Sequence, residues 1–85
     1  MKFIPLKFYT KPYCPLCDEI REVLNELDAC YEEIDITKLK PTEATFLEYR
    51  NEIPVLENKG DRWLYRENSV RNLKDWLLDQ GMVSR

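Results

Sequence analysis

The chain has no histidine, only two glycines and only three cysteines in 85 residues. It has no apolar run approaching the roughly eighteen residues that a membrane-crossing helix needs, so no span of a bilayer is expected. Nor is there a surplus of positive charge. Thirteen Lys and Arg stand against sixteen Asp and Glu, for a formal charge of −3, which removes the electrostatic case for a nucleic-acid partner. Internal repeats, linkers and low-complexity tracts are absent. Met1-Lys2-Phe3-Ile4-Pro5-Leu6 is too short and too interrupted to read as a secretory signal. The expected compartment is therefore the reducing cytoplasm, where a C-x-x-C pair serves redox or metal chemistry rather than acting as a structural staple.

What is present is a composition of 44% apolar and 34% charged residues, ordinary for a soluble globular chain. Residues 1–85 read as a single domain, expected to be monomeric. A chain of this size buries only about 60% of the surface it exposes when unfolded, which leaves a thin margin of stability.

The stretch Lys11-Pro12-Tyr13-Cys14-Pro15-Leu16-Cys17 carries the chemistry. It follows a short strand pattern and opens a helix-periodic segment. A thiolate attacks disulfides and a thiol does not, so a redox dithiol needs a field that favours the anion. The unpaired N–H groups and positive dipole end of a helix supply one. Pro15 suits the first helical position, where its missing N–H costs nothing, and Cys17 falls nearly one turn after Cys14. Two other readings of the pair stand beside this one: small core hydrophobes, or part of a metal site. Structural zinc wants four ligands. With no histidine and only Cys30 in addition, a site within one chain would need carboxylates, so no metal ligands are assigned.

The remaining elements follow from periodicity and breakers. Phe3 to Tyr9 alternates as a strand, with Pro5 at its start or at an unpaired position. Cys17 to about Leu27 is helical, with Cys17, Ile20, Leu24 and Leu27 on one face. Cys30 to Ile36 reads as a second strand, parallel to the first through a right-handed crossover. Cys30 itself reads as a buried or half-buried apolar filler at the helix-to-strand junction. Thr42 to Arg50 is a short helix capped by Thr42, with Ala44, Phe46, Leu47 and Tyr49 as its apolar side. Ile53-Pro54-Val55-Leu56 and Arg62 to Arg66 form an antiparallel hairpin around Asn58-Lys59-Gly60-Asp61. Asn68 or Ser69 caps a last helix that reaches about Gln80, burying Val70, Leu73, Trp76 and Leu77 and stopping at Gly81. The expected fold is α/β, in the order β-α-β-α-β-β-α, with a four-stranded mixed sheet flanked by helices.

That order, with C-x-x-C at the first helix and Ile53-Pro54 just before the third strand, resembles the thioredoxin fold, and more narrowly the short, divergent members of the glutaredoxin-like family. The resemblance covers essentially the whole chain. It implies a thiol–disulfide oxidoreductase, with Cys14 as the solvent-facing nucleophile and Cys17 as the buried resolving cysteine. It implies a cis Pro54 lying against Cys14, with Ile53 beside the substrate. It also places Lys11 and Tyr13 at the substrate or glutathione position, where a lysine would favour the thiolate and pair with a carboxylate. The implied partners are disulfide-bearing proteins or small molecules, with glutathione or a thioredoxin-type reductase restoring the dithiol and no bound cofactor. The chain departs from the family where Leu16 replaces an aromatic, and where Trp63 to Ser69 lacks the glycine pair that holds glutathione. Those departures motivate the alternative of a non-catalytic adaptor that docks partner segments along the Pro54 groove.

Overall fold

The structure is a computed structural model that describes residues 6–68 and 70–81. The start of the expected first strand, including Pro5, and the Ser69 cap lie outside these residues. The described elements are β1 (Leu6–Thr10), α1 (Pro15–Glu26), β2 (Tyr31–Asp35), α2 (Ala44–Tyr49), β3 (Val55–Asn58), β4 (Asp61–Leu64) and α3 (Leu73–Asp79). Short 3-10 turns occupy Ile36–Lys38, Tyr65–Glu67 and Val70–Asn72. The β-α-β-α-β-β-α order is as expected.

The strands run in the order β2-β1-β3-β4. β1 is parallel to β2 and antiparallel to β3, and β3 and β4 form the hairpin. Successive side chains on a strand point to opposite faces, and the register sorts them cleanly. Phe8 faces Leu56, which faces Trp63, and this row joins the core built with Cys17, Ile20 and Leu24 of α1 and Leu73 and Leu77 of α3. Tyr9 faces Val55, which faces Leu64, and this row packs with Ile36 and Tyr49 on the other face. The sheet is therefore a middle layer, with α1 and α3 on one side and α2 on the other. Lys7, the one exposed residue of β1, sits between buried neighbours.

Local chemistry explains the ends of the elements. Helix α1 stops in a paired hydrogen-bond motif. Asp28 takes the left-handed conformation at φ 53°, its N–H donating to Asn25 O at 3.2 Å, and the Ala29 N–H donates to Leu24 O at 2.9 Å. Such a helix end usually recruits glycine. The hairpin turn places both central residues, Lys59 and Gly60, at positive φ (51° and 91°), as a two-residue type I′ turn requires. Asp35 Oδ1 accepts from the Thr37 N–H (2.9 Å) and hydroxyl (2.6 Å), starting the 3-10 turn and holding the carboxyl below its usual range.

Several expectations need correction. α2 begins at Ala44 rather than at a Thr42 cap; Glu43 occupies the cap position without a side-chain bond. Ala44 and Leu47 face solvent, and Tyr49 and Phe46 do the packing. Tyr65 and Arg66 belong to a 3-10 turn rather than to β4. Asn68 does not cap the last helix. Its amide donates to Leu64 O (2.9 Å) and accepts from Asn72 Nδ2 (3.2 Å), while Asn72 Oδ1 accepts from Trp63 Nε1 (2.9 Å). Asn68, together with Asn72, instead clips the helix to the hairpin. Cys30 is exposed, not buried: it precedes β2, and its carbonyl accepts the Leu6 N–H at 3.2 Å.

Candidate dithiol site

The loop from Thr10 to Cys14 leaves the C-terminal end of β1 and delivers Cys14 to the start of α1. Cys14 is the N-cap residue, with extended backbone (φ −114°, ψ 99°), and its Sγ accepts the Cys17 N–H at 3.1 Å. Pro15 holds the first helical position, as its fixed φ and absent N–H predict. Cys14 and Cys17 are joined in a disulfide with a Cα–Cα separation of 5.2 Å. The two sulfur-bearing residues differ in access: Cys14 retains 7% exposure and Cys17 none. Cys14 is therefore buried rather than solvent-facing as expected, though it is the less buried of the two.

Ile53-Pro54 is a cis peptide. Tyr9 pairs with Val55, so the same register carried one residue further sets Pro54 beside Thr10, at the sheet end from which the Cys14 loop departs. Pro54 is buried, and its carbonyl accepts the Tyr65 N–H at 3.4 Å. Ile53 is half-buried and packs against both cores, the Cys14-containing one included. The expected site residues Cys14, Cys17, Ile53 and Pro54 thus gather at one end of the sheet. Lys11 and Tyr13, three residues and one residue ahead of Cys14 in the loop, are exposed.

Tyr13 is unusual twice over. It is fully exposed, and its φ of 57° lies in the left-handed region. A bulky non-glycine residue there is a backbone outlier, at a cost of roughly 1–3 kcal/mol. Leu16, between the cysteines, is 41% exposed.

A network that sequence pattern did not reveal ties α1 to β2. Arg21 sets its guanidinium fork on Glu33, at 2.8 Å from Nε and 2.7 Å from Nη2, and donates from Nη1 to Asp18 at 2.5 Å. Its cationic plane lies over the Phe8 ring, 5.8 Å from the centroid. The buried Thr10 hydroxyl donates to the same Glu33 at 3.4 Å. The hydrogen bonds from Arg21 pull the Glu33 carboxyl below its usual range, and Glu33 in turn raises Arg21. Asp18 stands in the first turn of α1, one residue past Cys17, and Arg21 offsets its negative charge there. The i, i+3 spacing of Asp18 and Arg21 was a legible signal; the partner on β2 was not.

Among the described residues, no cluster of three or more His, Cys, Asp or Glu gathers in a metal-holding arrangement. No helix among them is long and apolar enough to cross a membrane.

Residues 5–78 match a family model described as a glutaredoxin-like domain (DUF836). Among solved structures, a structural-genomics target protein from X. campestris, XcR50, is 25% identical with a TM-score of 0.70; the alignment covers 87% of this chain and 96% of that one. A buckwheat glutaredoxin solved in complex with glutathione is 18% identical at TM-score 0.62, over 94% and 82% of the two chains. A wheat glutaredoxin is 15% identical at TM-score 0.69, over 95% and 83%. At those identities the two plant proteins establish the shared fold alone.

Proposed function

The chain belongs to the glutaredoxin-like domain family, and from that premise we propose that it is a thiol–disulfide oxidoreductase whose working pair is Cys14 and Cys17. The observation that carries this reading is the capping contact: the Cys14 Sγ accepts the Cys17 backbone N–H at 3.1 Å. When the bridge is open, that N–H and the helix dipole behind it favour the anionic form of the Cys14 sulfur.

In the forward direction, the Cys14 thiolate attacks one sulfur of a substrate disulfide. The new S–S bond is a mixed disulfide, and the displaced substrate sulfur leaves as a thiolate that takes a proton from solvent. Cys17, once deprotonated, attacks the Cys14 sulfur. The second substrate sulfur leaves, and the Cys14–Cys17 bridge remains. Two electrons pass from the dithiol to the substrate, which is released as two thiols. Glutathione or a thioredoxin-type reductase supplies the two electrons that reopen the bridge. Both cysteines are buried, but Cys14 keeps 7% exposure and Cys17 none, so in this reading Cys14 attacks first. Lys11, exposed just ahead of the pair, meets a substrate carboxylate in this reading, as the family resemblance implies. Ile53 and Pro54 line the approach, as the family resemblance implies.

The test uses the pre-reduced protein and one equivalent of bis(2-hydroxyethyl) disulfide, with thiols trapped in acid and identified by mass. The expected products are a Cys14–Cys17 bridge in the parent and a trapped mixed disulfide on Cys14 in Cys17→Ser. Cys14→Ser is expected to give no transfer. Cys30, exposed and outside the pair, serves as an internal label that stays free. Undiminished transfer by Cys14→Ser would remove the proposal, and a parent that binds but never oxidises would favour the adaptor reading.

A further inference from the structure

Two anions compete for the first turn of α1. The helix start favours an anionic Cys14 sulfur, and it equally favours the carboxylate of Asp18. The two residues are joined through the backbone, where the Asp18 N–H donates to the Cys14 carbonyl oxygen at 3.1 Å. A bare carboxylate near a thiol disfavours the thiolate, because like charges oppose ionisation. The fold meets this conflict one turn further on. Arg21 donates to Asp18 Oδ1 at 2.5 Å, and Glu33 on β2 holds Arg21 from the other side through bonds of 2.8 and 2.7 Å. An exposed ion pair alone is loose and worth little; the two-pronged contact with Glu33 fixes the guanidinium plane. Glu33 also accepts from Thr10, the last residue of β1, where the Cys14 loop begins. Asp18, Arg21, Glu33 and Thr10 thus tie together the two ends of that loop.

We propose that Arg21 is a positioning residue for the dithiol: anchored by Glu33, it shields the Cys14 thiolate from the Asp18 carboxylate and so sets the pH at which Cys14 becomes reactive. This rests on the dithiol reading above and deepens it by naming what tunes the pair. Arg21 acts through Asp18 and not by a bond to either sulfur. The hydrogen bonds from Arg21 hold the Glu33 carboxyl below its usual range, so Glu33 stays ionised wherever a thiol titrates. The other charged groups around the arrangement are Glu19 and Glu22 on α1, Asp35 on β2 and Lys11 in the loop. Among the described residues none of these forms an ion pair with Asp18, Arg21 or Glu33. They are common to parent and variants, so their influence cancels in a comparison. The Asp18 side chain is 73% exposed, and water and salt screen its charge. The expected displacement is accordingly about 0.5 pH unit, below what a close and desolvated charge produces.

The test is the rate of iodoacetamide labelling of Cys14 in the pre-reduced protein from about pH 4 to pH 10, because only the thiolate reacts. The labelled cysteine is identified by tandem mass spectrometry. Arg21→Met is expected to raise the labelling midpoint by about 0.5 pH unit, a roughly threefold loss of rate below it. Arg21→Gln, neutral yet able to bond Glu33, is expected to do the same, which covers the case of a loosened helix in Arg21→Met. Arg21→Lys keeps the charge and is expected to stay within about 0.2 pH unit of the parent. The decisive measurement is Asp18→Asn made in two backgrounds. It should lower the midpoint by about 0.5 pH unit in Arg21→Gln and by less than about 0.2 pH unit in the parent, where the charge is already offset. In about 1 M salt the displacement caused by Arg21→Gln should shrink at least twofold. A purely structural role for Arg21 predicts equal effects of Asp18→Asn in both backgrounds. Equal effects, or neutral Arg21 variants that keep the parent midpoint, overturn this inference alone, provided that the parent forms its bridge with bis(2-hydroxyethyl) disulfide. A parent that never forms that bridge overturns the dithiol reading and this inference together.

Discussion

Asn72 offers a sharp test of how the last helix is held. It occupies the N-cap position just before α3, yet its side chain makes no capping bond. Its Oδ1 instead accepts the indole N–H of Trp63 at 2.9 Å, and Trp63 is only 1% exposed. Asn72→Ala therefore leaves a buried donor unpaired. A buried donor without a partner costs about 1–3 kcal/mol; Asn72 reaches the surface and water can partly replace it, which sets the expectation near 2 kcal/mol. For a chain of this length, stability is on the order of 4–13 kcal/mol, so the loss is a large fraction. The melting temperature should fall by about 8–16 °C. The assay is urea unfolding followed by far-UV circular dichroism, requiring an unchanged slope so that the midpoint reports stability. The decisive measurement is the same substitution in a Trp63→Phe background. There no indole N–H exists to be orphaned, and Asn72→Ala should cost less than about 0.5 kcal/mol, a coupling energy above about 1 kcal/mol. A lost cap would cost the same in both backgrounds. Equal losses would refute the clip.

Two further outcomes follow from the charged and phenolic groups. Arg21→Met keeps the stem over Phe8 but removes the fork on Glu33, and should cost about 1 kcal/mol at neutral pH, the upper end for an exposed pair because the contact is bidentate. The folded Glu33 carboxyl is depressed below its unfolded value of 4.5, so this contribution is present above that pH and is lost as pH falls through the depressed value; parent and variant should converge in acid unfolding curves, and a gap that persists at pH 2 would contradict the assignment. The Tyr49 phenol is pushed well above its unfolded value of 10.0, first by burial and then by its 2.6 Å hydrogen bond to Glu57. A raised folded value means stability that is complete below pH 10 and is lost as pH climbs beyond it. Tyr49→Phe should therefore cost about 1 kcal/mol at pH 7 and flatten the alkaline decline, read as the urea midpoint from pH 8 to 11; an unchanged decline would place the titrating group elsewhere.

Much of the architecture was legible because periodicity carries it. Ile20 and Leu24 recur at helical spacing and are fully buried; Asn58 to Asp61 contains the glycine that a type I′ turn wants. The miss at the last helix has a local cause: the sequence pattern assigns Asn68 to the backbone that follows it, and the fold turns it back to the hairpin. Asn68 looks like a cap in any window of sequence, but its amide donates to Leu64 O and accepts from Asn72, whose Oδ1 takes the Trp63 indole N–H once the hairpin packs against α3. Cys30 reads as filler because cysteine is usually buried. The hydrogen-bonded end of α1 at Asp28 and Ala29 finishes the turn just before it and leaves it outside. In α2 the apolar count overstated the packing, because a six-residue helix offers little more than one turn to the sheet, and Tyr49 fills that contact.

The dithiol was legible for a deeper reason, which is that its spacing is a capping rule. The N-cap side chain of a helix accepts the N–H of the residue two or three positions on. With Cys14 at the cap and Pro15 at the first position, that third N–H belongs to Cys17. The same three-residue step puts the two Cα atoms 5.2 Å apart, inside the range a disulfide can span. The capping contact on one sulfur and the reach of the other are therefore a single geometric condition, and the proposed mechanism draws on both. Inserting one residue between Leu16 and Cys17 would move a different amide onto the Cys14 sulfur and turn the second sulfur about 100° around the helix. The capping contact would survive and the bridge would not. A protein so altered should hold Cys14 reactive yet never close the ring, which separates the electrostatic half of the site from its redox half.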